Sequence, residues 1–200
     1  VTALFGDGST LRAAVPSVPG ETLRDALPIA DWTAGNTDSQ QQAFELGMSQ
    51  RVLFLMGAPG SGKPRVTTQL IKGCLEKNER TLLCCHTRDA VDHTVGQLDD
   101  DTKSDSLLQA RTIAATVMDD DVEPYDNVII DDAGMVSLAN VLYLASLTTK
   151  RILLIGDPMQ LPPVSSSETG NPWIEHNIFQ HQSGTDNLSE LFTWQEQNPD

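Results

Sequence analysis

A chain of 200 residues, 39% hydrophobic and 20% charged, has the composition of an ordinary globular chain with room for one sizeable core. Its net charge of -15, with aspartate well ahead of glutamate and few lysines, excludes a surface coated in phosphate-binding positive charge and resembles the hydrated surfaces of proteins from salt-loving organisms. No apolar run approaches the roughly 18 residues that span a bilayer, and VTALFGDGSTLR lacks a basic-then-apolar leader, so no membrane partner is expected and a cytoplasmic setting is.

Residues 1–35 are rich in turn-formers (GDGS, PSVPG, TAG), with a short strand candidate at 11–15, and read as a partly irregular N-terminal attachment. A start at Val1 suggests an excised piece. From residue 36 onward, apolar runs alternate with helix-like segments. Strands are expected at 51–56 (RVLFLM), 81–85 (TLLCC), 127–130 (NVII) and 151–155 (RILLI), and helices at 66–78, 90–98 and 138–147. Short apolar strands separated by helices indicate an α/β domain: a parallel sheet with helices on both faces. The acidic runs at 99–101 and 119–121 read as solvated loops. Cys74, Cys84 and Cys85 are odd in number and lack CxxC or Cys/His spacing, which suits reduced, buried thiols. His86, His93, His176 and His181 show no zinc-like spacing, and Trp32, Trp173 and Trp194 read as packing residues. The tail from 166 to 200 reads as loop and helix.

The chemistry concentrates in three places. GAPGSGKP at 57–64 sets Gly57, Gly60, Ser61, Gly62 and Lys63 as in a phosphate-binding loop between a strand and a helix. There, glycine backbone N–H groups wrap phosphate and lysine reaches its outer oxygens. Standing alone, the same run is also readable as a Gly/Pro-rich turn with a surface lysine. Asp131 and Asp132 close the strand NVII at the edge where a parallel sheet meets its ligands. That is a place for Mg²⁺ coordination and water activation. GDPMQLPPV at 156–164 follows the next strand and makes a rigid loop on the same edge, with Gln160 able to touch a phosphate oxygen.

In that order, GAPGSGK, IIDDAG and GDPMQLPP resemble motifs I, II and III of superfamily 1 helicases, nearest to the branch with the nonsense-mediated-decay and Okazaki-processing helicases. TDSQQQAF at 37–44 is similar to the family's Q motif, and LLCCHTRDAVDHTV at 82–95 to its motif Ia. The resemblance covers roughly 37–164 and implies a RecA-like P-loop NTPase domain at 36–165 that uses ATP and Mg²⁺. It places Lys63 on the phosphates, Asp131 on Mg²⁺, Asp132 as the base that orients water, Gln160 as γ-phosphate sensor and Gln40 on the adenine edge. It also sets Thr87, Arg88 and Thr116 near a single-stranded nucleic acid and gives Asp92 a structural role. Read without the family, Gln40 is a polar helix-start residue and 87–89 is a helix cap. Such helicases hold ATP between two RecA-like domains. The second, with its arginine motifs, is missing from this chain, which ends about where a QYRM-like motif would begin.

Two positions depart from the family pattern. Pro64 stands where a Ser or Thr offers Mg²⁺ a hydroxyl and phosphate an N–H, and proline supplies neither. Asp132 stands where the family has glutamate; it is one methylene shorter, and a misplacement of roughly 1 Å costs on the order of a hundredfold in rate. The expected function is therefore the ATP-binding half of a helicase, coupling ATP hydrolysis to translocation or unwinding and weakly active by itself. The alternative is a non-hydrolysing nucleotide- or nucleic-acid-binding scaffold. A P-loop kinase is disfavoured because GDPMQLPP has no role in one.

Overall fold

Runs such as TLLCC and RILLIG are apolar on both faces, so they belong in the middle of a sheet covered twice. In the computed structural model, which describes residues 36, 38–57, 59–158, 163 and 176–183, they form that sheet. Helix α1 (Asp38–Ser49) leads into β1 (Val52–Met56), α2 (Lys63–Glu76) and β2 (Thr81–Cys85). Then come α3 (Arg88–Gly96), a single turn α4 (Asp100–Lys103), β3 (Leu108–Thr112) and the short α5 (Ile113–Val117). Strand β4 (Tyr125–Ile130), a 3-10 turn (Ala133–Met135), α6 (Leu138–Ser146), β5 (Thr148–Gly156) and α7 (Ile178–Ser183) complete the described chain. The five strands are all parallel, in the order β1-β5-β4-β2-β3.

Alternate residues of the central strands feed two cores. Leu83, Cys85, Ile129, Leu153 and Ile155 face α1, α2 and α3, meeting Phe44, Met48, Leu70, Ile71 and Val91. Leu82, Cys84, Val128, Ile130, Ile152 and Leu154 face the other way, onto Ile113, Val141, Leu144 and Phe179. The α/β class and the two covered faces are as expected from sequence. Ile178 and Phe179, from the stretch expected to lead onward, pack into the second core.

Several details differ from expectation. Strand β3 differs from expectation: LQART, at one sheet edge and paired with β2 alone, carries Gln109 and Arg111 and so lacks the apolar run that marks the other strands. Helix α2 starts at Lys63 rather than 66, because Pro64 sits in the first turn, where the ring's fixed φ suits a helix and an N–H has no intrahelical partner. The acidic run at 99–101 is not a loop. The Asp99 carboxylate caps α4 through the Thr102 N–H and pairs with Lys72, which holds its pKa well below the usual carboxylate range. In the second run, Asp119 takes the Arg111 guanidinium at 2.7 Å. All three cysteines are buried thiols. Burial pushes Cys74 and Cys85 up to about 12 and Cys84 to about 11, so all are inert at neutral pH. Among the described residues no helix is long and apolar enough to cross a membrane.

The strands' N-terminal edge is closed by a buried polar network. Arg151 donates to Glu79, to Asn127 Oδ1 at 2.9 Å and to the Met48 carbonyl at 3.2 Å. The Asn127 amide in turn donates to Glu79 Oε2 at 3.0 Å, and Lys150 reaches Glu79 Oε1 at 3.3 Å.

Candidate nucleotide site at the C-terminal sheet edge

In a parallel sheet every loop that follows a strand opens on one edge, and here that edge collects the motifs. The loop after β1 begins with the Gly57 N–H donating to the Gly156 carbonyl at 3.1 Å, which ties it to the end of β5. Gly60 and Gly62 have φ of +79° and +87°, a left-handed backbone that glycine adopts without strain. A Cβ on Gly57 would stand 2.5 Å from Ser61 Oγ and 3.1 Å from Lys63 Cγ, so the bare position lets both side chains fold over the loop as they do. Lys63, first residue of α2, folds back into the loop, its Nζ donating to the Gly57 carbonyl at 2.7 Å.

Gln40 lies across the same loop. Its Nε2 donates to the Ser61 carbonyl at 3.1 Å, and a Cβ on Gly62 would stand 2.2 Å from that nitrogen. Helix α1 is thus fastened to the glycine loop by a side chain. Nearby, Asn36 and Gln69 exchange amide hydrogen bonds at 2.9 Å each, and Arg65 Nε donates to Asn36 Oδ1 at 2.7 Å.

Because β5 lies between β1 and β4, the turn after Gly156 stands between the glycine loop and the carboxylates after β4. Asp131 is partly buried, its Oδ1 accepting the Asp132 backbone N–H at 3.2 Å and its Oδ2 accepting the Thr94 hydroxyl at 3.0 Å. Burial pushes its pKa up, and the Asp132 charge pushes the same way; the Thr94 hydroxyl and the Lys63 charge oppose them. Asp132 has φ 55° and ψ 42°, a left-handed conformation that aspartate tolerates better than bulkier side chains. The turn it opens is pressed against β5: a Cβ on Gly134 would stand 3.0 Å from the Asp157 carbonyl, and one on Gly156 2.9 Å from the Phe179 ring. Helix α7 braces this junction through a reciprocal cap of Asn177 and Gln180, with the Asn177 amide donating to the Pro158 carbonyl at 3.2 Å.

The structure therefore brings Gln40, Gly57, Gly60, Ser61, Gly62, Lys63, Asp131 and Asp132 to one edge. Gln160 lies outside the described residues, as do the three tryptophans and the strand candidate at 11–15. Thr87 and Arg88 are exposed just past β2; Thr87 caps α3 by accepting the Ala90 N–H at 3.2 Å, and Arg88 pairs loosely with Asp92 at 3.8 Å. Thr116 is a correction. It is fully buried in α5, its hydroxyl donating to the Thr112 carbonyl at 3.1 Å and contacting the Cys84 sulfur, so it has no surface to offer a nucleic acid. Thr94 was missed. Its signal was a polar residue at i+3 from the apolar Val91, on the helix face turned toward the core.

The glycine cradle with its lysine fits a nucleotide's phosphates, and Asp131 offers oxygen to Mg²⁺, while Pro64 leaves the hydroxyl ligand unsupplied. Among the described residues no group of three or more His, Cys, Asp or Glu could hold a metal ion. Mg²⁺ characteristically completes such a sparse site with phosphate oxygens and water.

A family model described as AAA domain matches residues 40–166, more than half of the chain. Among solved structures the chain is similar to the Sulfolobus solfataricus SWI2/SNF2 ATPase core in complex with dsDNA. The TM-score is 0.51 and the identity 16%, over 84% of this chain and 40% of that one. It is also similar to T4 UvsW, with TM-score 0.46 and 15% identity over 58% of this chain and 29% of that one. The chain thus spans less than half the length of either. The first likeness is one of fold, a RecA-like α/β core with a parallel sheet. A comparison with curated proteins gives no match.

Proposed function

The chain belongs to the AAA domain family, and from that premise we propose that it is the ATP-binding half of a superfamily 1-type helicase motor, coupling ATP hydrolysis to movement along single-stranded nucleic acid. One observation carries this reading: Lys63 is folded into a glycine cradle on the same sheet edge that holds the part-buried Asp131, its carboxylate fixed by the Thr94 hydroxyl and the Asp132 N–H. That is the arrangement a phosphate chain with a divalent ion would complete. When bound, Mg²⁺ would neutralise charge developing on the transferred phosphoryl group. Lys63 would leave the Gly57 carbonyl for phosphate oxygens, and the loop N–H groups would bind the rest. Asp132 would orient the attacking water, and Gln40 would hold the loop beside the base. The exposed Thr87 and Arg88 would meet the nucleic-acid backbone. With a net charge of -15, that contact would depend on local hydrogen bonds and shape more than on long-range attraction. A second RecA-like domain would supply the remaining groups on ATP, and a cytoplasmic location is the setting proposed.

A second reading rests on Pro64 and Asp132, which remove a hydroxyl ligand and shorten the base. Under it the domain binds nucleotide without turning it over. Phosphate release measured with and without single-stranded DNA or RNA separates the two. Release stimulated by strands and abolished in Lys63→Ala supports the motor. Nucleotide binding with no release, in this chain and when joined to a second motor domain, supports the scaffold.

A further inference from the structure

Threonines inside helices ordinarily return their hydroxyl to a carbonyl one turn back. Thr67 does so to Lys63 at 3.1 Å and Thr116 to Thr112 at 3.1 Å. Thr94, equally buried in α3, spends its hydroxyl instead on Asp131 Oδ2 at 3.0 Å. The neighbouring Cys85 is a neutral thiol, a weak competitor for that proton. The first turns of α2 send no hydroxyl to Asp131. Position 64 is proline, Thr67 is committed to Lys63, and Thr68 donates to the Arg65 carbonyl at 2.8 Å.

We propose that Thr94 is a positioning residue for Asp131: reaching across from α3, its hydroxyl holds one carboxylate oxygen so that the carboxylate is oriented for a divalent cation, a task the first turn of α2 cannot perform with proline at position 64. This rests on the reading of the edge as a nucleotide site. With Oδ2 held by Thr94 and Oδ1 by the Asp132 N–H, the carboxylate has one fixed orientation and still offers lone pairs on both oxygens. Partners that orient a metal-binding carboxylate typically change metal affinity about 10- to 100-fold when removed.

The test titrates a fluorescent, non-hydrolysable ATP analogue onto the 200-residue chain, first in EDTA and then across a MgCl₂ series. Thr94→Val keeps shape and loses the hydroxyl. It is expected to bind the analogue in EDTA as the wild type does, but to need about tenfold more Mg²⁺ for the same gain in affinity. Thr94→Ser restores the hydroxyl and is expected to return the Mg²⁺ midpoint to near the wild-type value. If Thr94→Val fails to fold, Thr94→Ala is compared with Thr94→Ser in the same way. A hydroxyl-free variant with the wild-type Mg²⁺ midpoint, or a serine variant no better than it, overturns the assignment of Thr94 alone. A wild-type chain that binds no analogue under either condition overturns the nucleotide-site reading and this proposal with it.

Discussion

The two edges of the sheet treat charge in opposite ways. At the N-terminal edge, Glu79 is buried but surrounded by donors from Arg151, Asn127 and Lys150. Burial pushes its pKa up, yet the Asn127 and Arg151 hydrogen bonds outweigh that and hold it below the usual value. At the C-terminal edge, Asp131 is partly buried beside Asp132, with one hydroxyl, one backbone N–H and the Lys63 charge in its favour, and burial with the Asp132 charge holds its pKa above the usual value. One edge has its buried carboxylate compensated from within the fold. The other leaves like charges crowded together, the state expected where a cationic ligand is to be received.

The largest effect that tests this contrast is at the compensated edge. Arg151→Met leaves Glu79 buried without its guanidinium and should cost about 3–5 kcal/mol in urea unfolding. Nucleotide affinity of the protein that remains folded should be unchanged. Affinity falling in step with stability would show that the edges are not independent.

At the other edge the sign reverses. Asp131→Asn relieves crowding and should stabilise by about 1 kcal/mol at neutral pH, at the expense of Mg²⁺ use. The pH dependence distinguishes the edges. Glu79, whose folded pKa is depressed, contributes stability above its unfolded pKa and loses it as pH falls through the folded value. Asp131, whose folded pKa is raised, imposes its cost above that value and is relieved as pH falls through it. The advantage of Asp131→Asn should therefore shrink on acidification in thermal melts. An advantage that grows in acid would mean that the crowding is not electrostatic.

The smallest effect is at Pro64. Pro64→Thr restores a hydroxyl and an N–H in the first turn of α2 and should tighten Mg²⁺·ATP a few-fold by calorimetry, within the range of about one hydrogen bond. Equal affinities would remove Pro64 from the account of weak Mg²⁺ chemistry.

Much of this is legible in the sequence. The three interior strands and the edge strand β1 are continuous apolar runs, a pattern that survives in the sequence, and the glycine-lysine loop and paired aspartates announce themselves by residue type. Edge strand β3 did not, because it carries Gln109 and Arg111 among its apolar residues, whereas the other edge strand, β1, is apolar throughout. Thr116 misled because TIAATV reads the same whether its threonine faces solvent or Cys84. The partners of Thr94 and Phe179 were silent for a common reason. Each of the two residues acts on a segment remote in sequence, Asp131 for one and the Gly134 and Gly156 turns for the other, and no local pattern encodes such a contact.

The central claim is that the C-terminal edge receives Mg²⁺·nucleotide through Lys63. Calorimetric titration of Mg²⁺·ATP into the wild-type chain and into Lys63→Ala tests it most directly. The account predicts saturable one-to-one binding to the wild type, weakened by about tenfold or more in Lys63→Ala, the scale of a lost charge-assisted hydrogen bond. Equal heats from both proteins, or none from the folded wild type, would contradict it.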